Sequence, residues 1–302
     1  MAALRQVPGQ ASELLTPSAA ARARQLEFLA RTAVEGFFKG QNRSAFKGVS
    51  VEFFQHRMYM PGDDIRLLDW RILARTDRLV IREQQEFTNL DAIFALDVSG
   101  SMAYGREGLT KGEFARRCIA MLAFVLNRQN DRFGMALFSD KLSAFLPPSS
   151  GRAHMSELCR RLVAAPEGGE TDVAACGSLL VRRVKRKSVL FFFSDGYQAP
   201  APLVHALSIL ALRGHEIVFF HIYDPSETDL DFVGFTQFLD LETNQVDLAD
   251  PAEIRLAYRA VFHEHQRRLR DGLLRAGIEF HPLPVRAEWD AALAEILRKR
   301  AS

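Results

Sequence analysis

Three oxygen-bearing side chains at alternate positions form the stretch of this chain best suited to chemistry. Asp97, Ser99 and Ser101 are each separated by one residue, and Gly100 lies between the two serines. Carboxylate and hydroxyl oxygens are hard donors, which suit a cation of the magnesium class. Because residues 92–96 are all apolar, we expect a strand buried on both faces to precede them, and open α/β sheets bind ligands beyond such strand ends. The stretch therefore predicts a cation site where a strand passes into a loop.

Two later segments carry similar chemistry. Thr171 lies in a glycine-rich loop, and Asp195 follows the apolar run at residues 189–193. Strands joined by right-handed crossovers end on the same rim of a parallel sheet. We therefore expect Asp195 to be a neighbour of Asp97, and the helix that begins near Thr171 to face the same rim. The sequence predicts one site built from three segments.

The elements that position this site alternate between strand and helix from residue 90 onward. Such alternation predicts an α/β fold with a doubly wound, mainly parallel sheet covered by helices on both faces. A short run at 142–146 is expected to pair as an edge hairpin with the strand before it, and residues 235–241 are a candidate for a further strand. The main strands are predicted at 92–96, 133–138, 189–193, 217–222 and 278–283.

The N-terminal region has a different pattern. Residues 1–18 are small, polar and interrupted by proline, which predicts a flexible tail. A helical stripe of Leu26, Ala30, Ala33 and Phe37 follows, and β-type runs appear at 49–59 and 79–87. We therefore divide the chain into a tail at 1–18, a helix with a small β-containing attachment at 19–88, and an α/β domain at 89–302.

Composition narrows the classes of function. The chain has 302 residues, of which 48% are hydrophobic and 25% charged, and its formal net charge of +2 requires neither nucleic acid nor an anionic membrane as a partner. No apolar run approaches the ~20 residues that cross a bilayer, and the N-terminus has no signal-peptide core. The three cysteines lie in helical patterns, which favours buried apolar roles. We expect a cytoplasmic protein.

The order of the three site segments resembles the von Willebrand factor A domain. In that family, the residues that match Asp97, Ser99, Ser101, Thr171 and Asp195 form the metal-ion-dependent adhesion site. The resemblance implies that the three hydroxyls bind Mg²⁺ directly and that the two carboxylates bind it directly or through water. Mn²⁺ and Ca²⁺ are the alternative ions. A site of this kind keeps a replaceable water, so that a carboxylate of a protein partner can complete the coordination.

A second resemblance covers residues 57–75. The sequence from Arg57 through Pro61, Gly62 and Asp63 to Trp70 is similar to the signature of a bacterial family with a domain of unknown function, number fifty-eight. Members of that family are typically encoded beside MoxR-type AAA+ ATPases. The segment is expected to be a turn held by ion pairs or a docking surface beside the metal rim. The resemblance implies a non-enzymatic, metal-dependent protein-binding module that serves such an ATPase as adaptor or co-chaperone.

Two other functions remain as alternatives. A metal-dependent phosphoryl-transfer enzyme would use Asp97 as its nucleophile, although that class usually has a second aspartate where Ser99 stands. Nucleic-acid binding would use the basic run at residues 182–187, which we expect to be a solvated helix end. The sequence contains no Walker-type phosphate loop, so ATP hydrolysis by the chain itself is not expected.

Overall fold

A six-stranded sheet forms the centre of the protein. The computed structural model describes residues 18–40, 54–58, 80–84, 91–106, 108–169, 173–232, 234–242, 245–286, 290 and 293. Five of the strands are parallel, and one edge strand runs antiparallel to its neighbour. From one edge to the other the strands are β10 (Glu279–Pro284), β7 (Glu216–Tyr223), β6 (Ser188–Ser194), β3 (Asp91–Asp97), β4 (Phe133–Phe138) and β5 (Leu142–Ser149).

Helices cover both faces of this sheet. On one face lie α1 (Ala19–Gly40), α2 (Lys111–Arg128) and α3 (Arg152–Ala164); on the other lie α4 (Val173–Arg183), α5 (Pro200–Leu212) and α7 (Pro251–Arg275). Side chains of β3 alternate between the two layers, with Phe94 on the first face and Ile93 and Ala95 on the second. The predicted doubly wound, mainly parallel fold is confirmed.

In the part of the chain that the structure describes, two strand pairs lie outside the main sheet. The antiparallel strands β1 (Phe54–Met58) and β2 (Val80–Gln84) fall within the two β-type runs predicted near the N-terminus. The strands β8 (Thr236–Leu239) and β9 (Val246–Ala249) form a hairpin after the short helix α6 (Pro225–Asp229). The first of these hairpin strands was predicted and the second was not.

The hairpin and the first half of α7 form a small outer lobe, which we define as residues 230–261. Its core consists of Leu230, Phe232 and Phe238, against which Ala249 and Tyr258 pack. Ile254, Tyr258, Phe262, Leu269 and Leu273 recur along α7 as an apolar stripe, and Ile254 lies at the surface of this lobe. The stripe becomes buried further along the helix, where α7 reaches the main sheet.

Several smaller predictions can be compared with the structure. All three cysteines are buried and free of disulfides. Among the residues that the structure describes, no helix is both long and apolar enough to span a bilayer. Thr171 and most of the signature at 57–75 lie outside the described residues, and the division into a tail, an attachment and a domain stays a prediction.

Candidate metal centre

Asp97 is the last residue of the central strand β3, and its carboxylate is fully buried. The backbone N–H of Ser99 donates to Asp97 Oδ1 at 3.0 Å. The hydroxyl of Ser194, at the end of the neighbouring strand, donates to Asp97 Oδ2 at 2.7 Å. Both carboxylate oxygens are thus held in place by groups from two adjacent strands.

The two serines after β3 face each other. Ser99 Oγ and Ser101 Oγ are 3.0 Å apart, and both residues are buried. A short 3₁₀ helix at Gly100–Ala103 turns the chain here, and this turn brings alternate hydroxyls to the same side. Asp97, Ser99 and Ser101 therefore form a compact group of hard oxygen donors, as predicted from their spacing.

The glycine-rich loop lies against this group. The N–H of Gly168 donates to the carbonyl of Val98 at 2.9 Å, and the N–H of Gly100 donates to the carbonyl of Gly169 at 3.0 Å. Gly168 and Gly169 have φ angles of 156° and 80°, which a residue with a side chain rarely adopts. The loop that precedes Thr171 is thus bonded to the serine turn on both sides of Ser99.

Asp195 directly follows β6, beside β3, and is also buried. Its Oδ2 accepts a hydrogen bond of 2.8 Å from Lys111 Nζ, and the same ammonium group donates to Glu227 Oε1 at 2.8 Å. We call Asp97, Ser99, Ser101 and Asp195 the rim. The strand order brings all four to the same edge of the sheet, as predicted.

No sequence motif pointed to Lys111 and Glu227 as neighbours of the rim. Lys111 is fully buried at the first position of α2, and its Nζ lies 4.4 Å from the ring centroid of Tyr197 and 5.7 Å from that of Tyr104. A positively charged side chain is unfavourable at a helix N-terminus. The position of Lys111 in the sequence therefore indicated a role other than stabilising its own helix. Glu227 belongs to a capping box with Asp224, and that motif by itself indicated only a helix start.

The rim and its neighbours contain more buried negative charge than positive charge. Burial first, and the carboxylate of Asp195 second, raise the pKa of Asp97 to about 7, although hydrogen bonds from Ser194 and Ser99 oppose this shift. Burial also raises the pKa of Glu227, against the effect of Lys111. Burial disfavours the charged form of Lys111, but attraction to Asp195 and Glu227 outweighs it and raises the pKa of the ammonium group.

These observations fit a divalent cation at the rim. A cation beside Asp97 would relieve the repulsion and desolvation that disfavour its charged form. The rim offers two carboxylates and two hydroxyls, oxygen donors that suit Mg²⁺. Within the described residues, no group of three His, Cys, Asp or Glu side chains has the arrangement of a metal site, so the hydroxyls are essential to this assignment.

The turn of the β8–β9 hairpin packs directly on the rim. A Cβ atom at Gly100 would overlap the backbone carbonyl of Leu241 and approach the Cα of Glu242 to 3.4 Å. The close approach of two backbones therefore explains the glycine between the serines. Gly100 and Leu241 belong to segments far apart in sequence, so no local pattern predicted this contact.

The basic run at residues 182–187 lies at the opposite end of the strands from the rim. It joins the end of α4 to the start of β6, whereas the rim follows the carboxyl end of β6. Its charged side chains are exposed, and Val184 alone is buried. The run has the surroundings of a solvated helix end, as expected.

Residues 55–268 match the family described as "Protein of unknown function DUF58". The chain belongs to this family. It is 26% identical over 291 residues to "Uncharacterized protein Rv1480" of Mycobacterium tuberculosis (strain ATCC 25618 / H37Rv), and equally to "Uncharacterized protein Mb1516" of Mycobacterium bovis. Each alignment covers 95% of this chain and 90% of the mycobacterial protein. The resemblance inferred from the signature is confirmed at the level of the family.

Solved structures of other proteins are similar to this chain. An aerotolerance-related membrane protein from Bacteroides fragilis is similar, with a TM-score of 0.50 and 16% identity over 70% of this chain and 98% of that one. The conserved hypothetical protein BatB from Bacteroides thetaiotaomicron has a TM-score of 0.45 and 17% identity, with the same coverage. The SpRpn10 VWA domain has a TM-score of 0.43 and 11% identity, over 68% of this chain and 94% of that one.

Proposed function

We propose that this protein binds a protein partner through a divalent cation at the rim, and that a carboxylate of the partner completes the cation's coordination. The observation that carries the proposal is the convergence of two buried carboxylates and two hydroxyls from separate strand ends. Mg²⁺ is the proposed ion, with Mn²⁺ and Ca²⁺ as the alternatives. Thr171 is proposed as a further ligand on the resemblance to the von Willebrand factor A domain.

The residues of the rim have separable tasks in this proposal. Asp97 supplies charge, and hydrogen bonds from Ser99 and Ser194 keep its carboxylate oriented. Ser99 and Ser101 supply neutral oxygens, which hold a cation without cancelling its charge. When bound, the cation supplies an electrophilic position for one more anionic oxygen. The protein's contribution is orientation and exclusion of water, not a bond-breaking step.

The proposed partner is a MoxR-type AAA+ ATPase, in the cytoplasm, with this chain as its adaptor or co-chaperone. The resemblance of the signature at residues 57–75 supports the pairing, because relatives with that signature are typically encoded beside such ATPases. Membership of the family agrees with this resemblance.

The residue at position 99 disfavours the phosphoryl-transfer alternative. Enzymes of that class usually carry a second aspartate two residues after the nucleophile, whereas Ser99 stands there in this chain. Incubation with an aryl phosphate and Mg²⁺ tests this alternative. Turnover that disappears in Asp97→Asn would establish an enzyme and overturn the binding proposal.

The binding proposal is tested by using this protein to capture a MoxR-type ATPase encoded nearby, once in the presence of Mg²⁺ and once in the presence of EDTA. We expect EDTA to abolish capture and Ser99→Ala to weaken it at least tenfold, because each removes a component of the proposed bridge. Ser188→Ala is the matched control: this serine is also buried, but it lies at the opposite end of β6, where its hydroxyl donates to the Arg186 carbonyl. Capture that ignores both EDTA and Ser99→Ala would contradict the metal-bridged mechanism.

A further inference from the structure

Lys111 has no local reason to be where it is. It follows the N-cap Thr110, whose side chain accepts from the backbone N–H of Glu113, and the macrodipole at this end of α2 opposes a positive charge. Its side chain nevertheless has no solvent exposure. Burying an ammonium group costs free energy that its partners must offset. The reason for this lysine must therefore be sought in its contacts.

Those contacts connect the rim to a carboxylate outside it. Lys111 Nζ lies 2.8 Å from Asp195 Oδ2 and 2.8 Å from Glu227 Oε1. Glu227 is itself fixed, because its Oε2 accepts from the backbone N–H of Asp224 at 2.8 Å. The rings of Tyr104 and Tyr197 surround the ammonium group and exclude water from it. Lys111 is thus held rigidly against one of the proposed metal-binding carboxylates.

The charges around Lys111 do not cancel. Asp97, Asp195 and Glu227 are three buried carboxylates, and Lys111 is the cation bonded to two of them. With these three carboxylates ionised, the group keeps an excess of two negative charges; a fourth buried carboxylate, Asp224, adjoins Glu227 in the capping box and accepts hydrogen bonds from the backbone N–H groups of Arg106 and Ser226. Removing the ammonium group would raise that excess to three, and removing the charge of Glu227 would lower it to one.

We propose that Lys111 is a built-in counter-cation that neutralises Asp195 and sets, by its charge, how tightly the rim binds a divalent metal. This inference rests on the proposed metal site. It assigns to Lys111 a positioning and electrostatic role, because the residue acts through Asp195. A buried ammonium group repels an incoming cation in a medium of low dielectric, so the rim binds metal more weakly than its carboxylates alone would.

A charge series in the full chain tests the inference. Binding of Mn²⁺, the probe ion, is measured by isothermal titration calorimetry for the wild type, Lys111→Met, Glu227→Gln and the double variant. We expect Lys111→Met to bind Mn²⁺ at least about tenfold more tightly, and Glu227→Gln at least about threefold more weakly. The double variant has the same net charge as the wild type and should bind within about threefold of it.

If Lys111 merely maintained the shape of the site, the order of Mn²⁺ affinities among the variants would be different. Each single variant would then lose affinity, and the second substitution would not restore it. Circular dichroism at the titration temperature checks that each protein is folded. If Lys111→Met alone fails to fold, the double variant decides: wild-type affinity supports the inference, and a tenfold loss overturns it.

The series also separates this inference from the proposed function. Wild-type protein that binds Mn²⁺ while a folded Lys111→Met binds it equally or more weakly would overturn the role of Lys111 alone. Absence of Mn²⁺ binding in every member of the series would overturn the metal site together with the inference.

Discussion

Polar side chains are usually exposed in a folded protein, and large apolar side chains are usually buried. The rim departs from this rule by burying polar groups, and the outer lobe departs from it by exposing apolar ones. At the rim, carboxylates and hydroxyls are buried and hydrogen-bonded, and the ammonium group of Lys111 is buried beside them. In the outer lobe, large apolar side chains are exposed: Phe235, Val246, Leu248, Leu256 and Val261. The rim can bury its charges because its partners lie at strand ends and helix starts that pack together around a six-stranded sheet. The lobe, with two strands and a three-residue core, has little structure with which to bury its own apolar surface.

The two regions meet at Gly100, where the hairpin turn of the lobe lies on the serine turn of the rim. The polar side chains of the rim are fixed by hydrogen bonds, whereas the hairpin that lies beside them belongs to a lobe with a small apolar core. Local opening free energies differ widely within one protein, and small elements with few buried contacts open first. The following predictions test whether the regions behave as separate cooperative units, beginning with the largest expected effect.

Removing a phenylalanine should have different consequences in the two regions. Phe192 is fully buried between the main sheet and its helices, so Phe192→Ala should lower the free energy of unfolding of the main sheet by about 3–5 kcal/mol. Phe238→Ala should open the outer lobe and change the stability of the main sheet by less than about 1 kcal/mol. Urea denaturation combined with amide hydrogen exchange measures both. If Phe192→Ala and Phe238→Ala lowered the free energy of global unfolding equally, the lobe and the sheet would unfold together.

The contact between the regions can be tested at Gly100. We expect Gly100→Ala to displace the hairpin turn and cost about 1–3 kcal/mol, because its Cβ would overlap the backbone of Leu241. Gly177→Ala, in helix α4, is the control, since its Cβ would approach the nearest atom, the Cβ of Ala206, no closer than 3.2 Å. Amide exchange at residues 236–249 should accelerate in the first variant only. Unchanged exchange there would disprove the close packing of the hairpin on the rim.

The smallest effect is expected at the exposed surface of the lobe. Leu248 pairs with Gln237 across the hairpin and is 71% exposed, so Leu248→Ser should change the free energy of unfolding by less than about 0.5 kcal/mol. Thermal unfolding followed by circular dichroism measures this change. A loss above about 1 kcal/mol would mean that the side chain is covered in solution, and the contrast between the two regions would weaken.

Much of the fold was accessible from the sequence because its determinants are local. The apolar runs at 92–96 and 189–193 predicted strands buried on both faces, and both are found in the centre of the sheet. The neighbourhood of Asp97 and Asp195 followed from a topological rule, although the two residues are far apart in the chain. The hairpin strand β9 was missed because it is short and its apolar side chains face outward.

The sequence by itself determined which side chains stand at the strand ends, and hence that Asp97, Ser99, Ser101 and Asp195 would share one rim. Only the tertiary structure decided what surrounds them. Lys111 and Glu227 come from the ends of two separate helices, and Leu241 comes from a hairpin turn. Periodicity records which face of an element is apolar, but it carries no information about which helix end or turn packs against a given loop. The charge balance of the site depends on such long-range contacts, so it became visible only in the folded chain.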